Sequence, residues 1–174
     1  AERLDAPLVH STVSRLIIDC NRNIDASDLI PVISERTEIK ANAGISQSER
    51  DHRIGNYHAP FHAAIDAVLE ARLAAGLETI LVAIHSFTPV YKDVVRPWPI
   101  GLIPGEDERF TWGLQRALTE DAPELNVGWN QPYAGGKGVT YTLEQHGDGR
   151  DLPATMIEIR HDEILEGPGI MLWV

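Results

Sequence analysis

Cysteine is nearly absent from this 174-residue chain; Cys20 is its one thiol. A single thiol excludes an internal disulfide and fits a reducing compartment, so a cytoplasmic protein is expected. No apolar run approaches the roughly 20 residues that a membrane span needs, and no secretory signal pattern opens the chain. Basic residues are few: 15 Lys+Arg against 26 Asp+Glu leave a formal net charge of −11. That field opposes non-specific binding to nucleic acid or to an anionic membrane, while a local group of arginines can still build an anion pocket. The GxxxxGK(S/T) spacing is missing, so the glycines of stretch 130–138 do not form a phosphate loop. The glutamate of an HExxH helix is missing as well, and Pro60 interrupts the pair His58 and His62. Internal repeats, low-complexity segments and domain linkers are absent too. What remains is ordinary for a soluble globular protein: 43% hydrophobic and 24% charged residues, with enough length for one domain and a sizeable core.

The most informative stretch is Ile80-Leu-Val-Ala-Ile-His-Ser-Phe-Thr-Pro-Val90. Residues 80–84 are a short, continuous apolar run rich in branched side chains, which predicts a strand buried on both faces. Its carboxyl end delivers His85 and Ser86, where open α/β sheets place their chemistry. One imidazole there binds a metal, moves a proton or donates a hydrogen bond to a loop carbonyl. Further strands are expected at 14–19, 100–103, 125–129 and 154–159. Residues 23–51 are polar and read as a long loop. A helix opens at Tyr57-His-Ala-Pro-Phe-His62, with Pro60 in its first turn, and Gly76 ends it. Another begins at Asp107 and stops near Pro123. The helix-then-strand step from 57 to 84 is half of a βαβ unit, so the class is α/β.

Three groups of residues carry chemistry. Arg15, Asp19, Asn21 and Arg22 cluster on one stretch and its exit. They either clamp a carboxylate or form structural ion pairs, Arg15–Asp19 or Asp19–Arg22. Glu158 and Arg160 share one face of Met156-Ile-Glu-Ile-Arg160, with the isoleucines on the other. Glu158 is a candidate general base, or half of a neighbour pair with Arg160. The stretch from Asn130 to Gly138 reads as a backbone loop lining a small-molecule pocket, which makes Asn130, Tyr133 and Gly135 candidate substrate contacts beside Arg160. His62 is expected to reach a pocket, His58 to cap or face solvent, and His146 to sit at a pocket rim. His10, His52 and His161 carry no signal.

Five stretches together resemble the N-formylglutamate amidohydrolase family, in that family's order. They are Ser14-Arg-Leu-Ile-Ile-Asp-Cys-Asn-Arg22, Tyr57-His-Ala-Pro-Phe-His62, His85-Ser-Phe-Thr-Pro-Val90, Asn130-Gln-Pro-Tyr-Ala-Gly-Gly136 and Met156-Ile-Glu-Ile-Arg160. Asp-Cys-Asn-Arg22 also looks like the Asp-Leu-Asn-Arg signature of aspartoacylase and succinylglutamate desuccinylase relatives. The resemblance implies a zinc carboxypeptidase-like fold, a phosphorylase/hydrolase-like three-layer α/β/α sandwich around a mixed sheet. It implies a hydrolase holding one Zn2+ that cleaves a small N-acyl amino acid, N-formyl-L-glutamate above all, in histidine degradation. By analogy His85 would be a zinc ligand and Glu158 the base that activates water. Arg15 would stabilise the oxyanion, and Asn21 and Arg22 would hold the substrate carboxylate. Arg15 and Arg22 would also account for selection of an acidic substrate.

A catalytic zinc takes three protein ligands, and the family's first ligand-bearing segment lies upstream of the Ser14-Arg15 stretch. Residues 1–174 are therefore expected to be a single amidohydrolase domain lacking its N-terminal segment, with a C-terminal helix also open to question. Two rival readings stay open: a non-catalytic protein that binds a carboxylated metabolite, and a zinc carboxypeptidase acting on peptides. The sequence sets no oligomeric state.

Overall fold

The computed structural model describes residues 1–133, 135, 138–167, 170 and 173, and the chain divides into two units, Ala1–Thr79 and Ile80–Val174. In the first unit the stretch expected as a strand at 14–19 is a turn. The Ser14 hydroxyl accepts from Leu16 N at 3.2 Å, and Ile17 N donates to Ser14 O at 2.9 Å. A serine side chain offers the backbone a local alternative to a ladder, and three apolar residues are too few to outweigh it. The Asn42 amide then donates to Leu16 O at 2.7 Å and to Pro31 O at 2.8 Å. It satisfies carbonyls that a neighbouring strand would otherwise serve. Ile18, Leu29 and Ile30 form the buried cluster of this unit.

The expected loop 23–51 contains regular structure. A short hairpin pairs β1 (Ile33–Ser34) with β2 (Thr37–Glu38), and α1 spans Gln47–Arg53. Ser46 caps α1 by accepting from Glu49 N at 3.1 Å. A π-helical turn, Ile54–His58, carries α1 directly into α2 (Ala59–Ala74). Pro60 has no N–H to donate, and the widened turn ahead of it lets the helix continue. Gly76, at φ +67°, ends the run as expected.

The second unit holds the sheet. Its strands are β3 (Leu81–Phe87), β4 (Val90–Tyr91), β5 (Val94–Val95), β6 (Ile100–Pro104), β7 (Val127–Trp129) and β8 (Ala154–Arg160). Strands β4 and β5 form a small hairpin, turned by Lys92 and Asp93 at φ 49° and 69°. The other four form one mixed sheet in the order β3-β8-β6-β7, with β3 parallel to β8, β8 antiparallel to β6, and β6 parallel to β7. The class is mixed α/β, as read from the sequence. Helix α3 (Arg109–Asp121) packs on β6, β7 and β8; α4 (Tyr141–His146) packs on β3 and β8.

The core lies where α4 meets the sheet. Leu143 packs with Ile103, Ala154 and Met156, joined by Leu81 and Ala83. Each large side chain so buried stabilises the fold by about 1.5–3 kcal/mol. Two expectations for β3 need correction. It is an edge strand among the described residues, and Val82 and Ile84 are 40% and 63% exposed, so it is not buried on both faces. It also runs on through Phe87, which keeps His85 inside the ladder.

Candidate functional site

Register, not a loop, positions the central acid. In the sheet His85 pairs with Glu158 on one side, Gly101 pairs with Glu158 on the other, and Gly128 pairs with Gly101. Residues that pair across strands share a face, and neighbouring strands lie about 4.8 Å apart. The row therefore reads His85, Glu158, Gly101, Gly128 across the face that carries Ala83, Met156 and Ile103. Glu158 is 4% exposed in this row and His85 is half-buried. Ile157 and Ile159 turn to the other face, as the alternation predicts.

The two glycines make room for a loop. A Cβ on Gly101 would stand 1.9 Å from Gln131 O, and one on Gly128 would stand 2.7 Å from Trp98 Cγ. The Gln131–Pro132 peptide is cis, and its backbone passes over Gly101, beside Glu158. Asn130, at φ 53°, anchors the loop. Its N–H donates to Leu102 O at 2.7 Å, and its side-chain oxygen accepts from Gly135 N at 2.6 Å. Asn130 and Gly135 thus shape the loop through each other. Ala134, Gly136 and Lys137, in the same expected pocket loop, lie outside the described residues. Tyr133 packs against the core and accepts from Arg96 Nη1 at 3.3 Å.

Arg160 is held at the end of β8 by partners next to it. Its Nε donates to Asp162 at 2.6 Å, its Nη2 to Glu163 at 3.0 Å and its Nη1 to Arg96 O at 3.2 Å. The hydrogen bond to Asp162 raises the Arg160 pKa and lowers that of Asp162. His146 is fully buried in α4, so it is not a rim residue. His161 lies 3.1 Å from Ser86 Oγ.

In the first unit the Arg15–Arg22 stretch is tied down by its own side chains. Arg15 pairs with Asp19 at 2.8 Å, and the second oxygen of Asp19 accepts from Asn21 N at 3.0 Å. Arg22 pairs with Asp28, not Asp19, at 2.8 Å, and donates to Asn21 O at 2.9 Å. Both helix histidines face this stretch: His58 Nε2 donates to Arg22 O at 2.8 Å, and His62 Nε2 to Cys20 O at 3.0 Å. His58 is 4% exposed, which corrects its expected solvent position. The two rings lie 4.4 Å apart, and burial pushes the Cys20 thiol pKa up.

Among the described residues no group of three His, Cys, Asp or Glu side chains could hold a metal ion. A complete set of three zinc ligands is therefore not formed by these residues. No described helix is long and apolar enough to cross a membrane. Sequence reading missed Arg96, a buried arginine ringed by aromatic side chains. One of those rings, Tyr133, lies 37 residues away in the chain, so no local pattern marks the cluster.

The sequence profile described as N-formylglutamate amidohydrolase matches residues 1–165. A crystal structure of a gene product from Agrobacterium tumefaciens is 35% identical, with a TM-score of 0.83 over 89% of this chain and 61% of that one. The crystal structure of N-formylglutamate amidohydrolase from Ralstonia eutropha shares the fold at 21% identity, with a TM-score of 0.58 over 87% of this chain and 63% of that one. The chain thus spans under two thirds of each of these two proteins. No curated protein sequence matches it. With 165 of 174 residues matched, the chain belongs to the N-formylglutamate amidohydrolase family.

Proposed function

We propose that the protein hydrolyses the amide bond of an N-acyl amino acid, with N-formyl-L-glutamate giving formate and glutamate. The observation that carries this reading is the register of Glu158, a buried carboxylate beside His85 on one sheet face. Family membership supports the amidohydrolase class. In the proposed reaction Glu158 accepts a proton from the attacking water and passes it to the leaving amine nitrogen. Arg15 stabilises the charge that develops on the carbonyl oxygen. Asn21 and Arg22 hold a substrate carboxylate, the guanidinium as a planar fork. His85 is proposed as one ligand of a single zinc ion, the remaining donors coming from sequence beyond these residues.

The test is formate release from N-formyl-L-glutamate, measured with zinc content, on the product of the complete reading frame. Release of formate supports the reading. Glu158→Gln should lower turnover at least about 10²–10⁴-fold with the protein still folded. Full activity in that variant would remove Glu158 from the proposed role. A folded full-length product that releases no formate and binds no zinc would favour the non-catalytic binding protein.

A further inference from the structure

A cavity of about 350 Å³ in the second unit is lined by Tyr91, Lys92, Arg96, Trp98, Gln131 and Pro132, with two valines completing it. Among the described residues its wall carries two cations and no carboxylate, although the chain as a whole has a net charge of −11. Arg96 is only 7% exposed, and among the described residues no carboxylate pairs with it. Its Nη1 reaches Thr88 O and Oγ1 at 3.5 Å and Tyr133 Oη at 3.3 Å, all long contacts. The rings of Tyr91, Tyr133 and Phe87 lie 4.6, 4.8 and 5.8 Å from the guanidinium carbon. Aromatic faces offset part of the cost of burying a cation, but a guanidinium has five N–H donors and keeps its charge. An anion supplied from outside would complete its bonding.

The cavity shares a loop with the strand row that carries the candidate base. Gln131 and Pro132, in its wall, are the residues that press on Gly101, the ladder neighbour of Glu158. Arg15 and Arg22, by contrast, already have Asp19 and Asp28 as partners.

We propose that Arg96 receives the side-chain carboxylate of the substrate and so selects an N-acylated acidic amino acid. This rests on the hydrolase reading above. The planar fork of Arg96 matches a carboxylate bidentately, and an amide in its place would leave N–H donors unsatisfied.

The experiment compares N-formyl-L-glutamate with N-formyl-L-glutamine on the full-length protein, its Arg96→Gln variant and its Arg96→Lys variant. The wild type should prefer the glutamate substrate by about 10–150-fold in kcat/KM, the range for losing a charged hydrogen bond. Arg96→Gln should abolish that preference by raising KM for the glutamate substrate, with the glutamine substrate changed less than about threefold. Arg96→Lys keeps a buried charge and decides the matter if Arg96→Gln does not fold; it should weaken only the glutamate substrate. An equal loss on both substrates, or an intact preference, overturns the proposal. If the wild type hydrolyses neither substrate, the hydrolase reading fails on its own. Calorimetric binding of glutarate then decides: at least about tenfold weaker binding in Arg96→Lys supports the anion pocket, and equal binding overturns it.

Discussion

Glu158 and Arg22 are held in place by different physics. Glu158 sits between two paired strands, and its position follows from the ladder on either side. Arg22 sits on irregular backbone, and its position depends on a few side-chain bonds: Asp19 to Asn21 N, His58 to Arg22 O, His62 to Cys20 O and Asp28 to its own guanidinium. A ladder shares strain over many backbone bonds, so one distant substitution moves Glu158 little. The loop has no such reserve, and each bond can be removed singly. The sheet should therefore fail only where its close approaches are blocked, and the loop wherever a tether is cut.

The strongest challenge to the sheet side is Gly101→Val. Its new Cβ would meet the Gln131 carbonyl at 1.9 Å, and that obstacle is backbone, not a flexible side chain. Overpacking of this kind costs about 1–3 kcal/mol and occasionally more. The melting temperature should fall, and hydrolysis should fall with it as the loop leaves Glu158. A wild-type melting temperature would mean that the loop does not cross Gly101.

The matching challenge to the loop side is His58→Ala. It removes a buried ring and its bond to Arg22 O, at a cost of about 1–3 kcal/mol. If the tether aims Arg22, KM for an N-acyl amino acid should rise more than kcat falls. Loss of stability with KM unchanged would separate the tether from substrate binding.

The two regions also differ in how far the sequence revealed them. The four sheet strands were readable because apolar runs and alternation mark them directly, and Glu158 stood out as an acid within Met156-Ile-Glu-Ile-Arg160. The ladder partner of Glu158 was not readable, since register is a property of two strands. The short apolar run at 16–18 misled because Ser14 and Asn42 serve its backbone better than a strand would. Helix α1 went unseen because it has no buried residue and hence no apolar stripe. Its one signal was Ser46 followed three residues later by Glu49. Arg96 was hidden for a related reason: Tyr133, which it contacts, is 37 residues away.

A gentler cut on the loop side is Asp28→Asn. The carboxylate is 56% exposed and the guanidinium 17%, so the pair contributes no more than about 1 kcal/mol. Stability should barely change. Substrate affinity is the sharper readout, because the variant releases Arg22 for a carboxylate. A KM lowered by up to about threefold would fit Arg22 as a substrate contact. A large loss of stability would show that Asp28 supports the fold instead.

The smallest effect belongs to the sheet unit and tests electrostatics alone. Asp107 accepts from the Arg109 side chain and from Arg109 N at the start of α3. These bonds, the side-chain one first, lower its pKa from 3.8 to about 2. A folded-state pKa below the unfolded one gives stability that is present above about pH 3.8 and lost as pH falls through about 2. Arg109 lies mostly in solvent, at 89% exposure, so screening keeps the effect small. Melting temperatures of the wild type and Asp107→Asn should differ slightly at neutral pH, with the wild type higher, and converge near pH 2. A difference that stays constant across that range would mean that Asp107 acts through its hydrogen bond to the helix start and not through its charge.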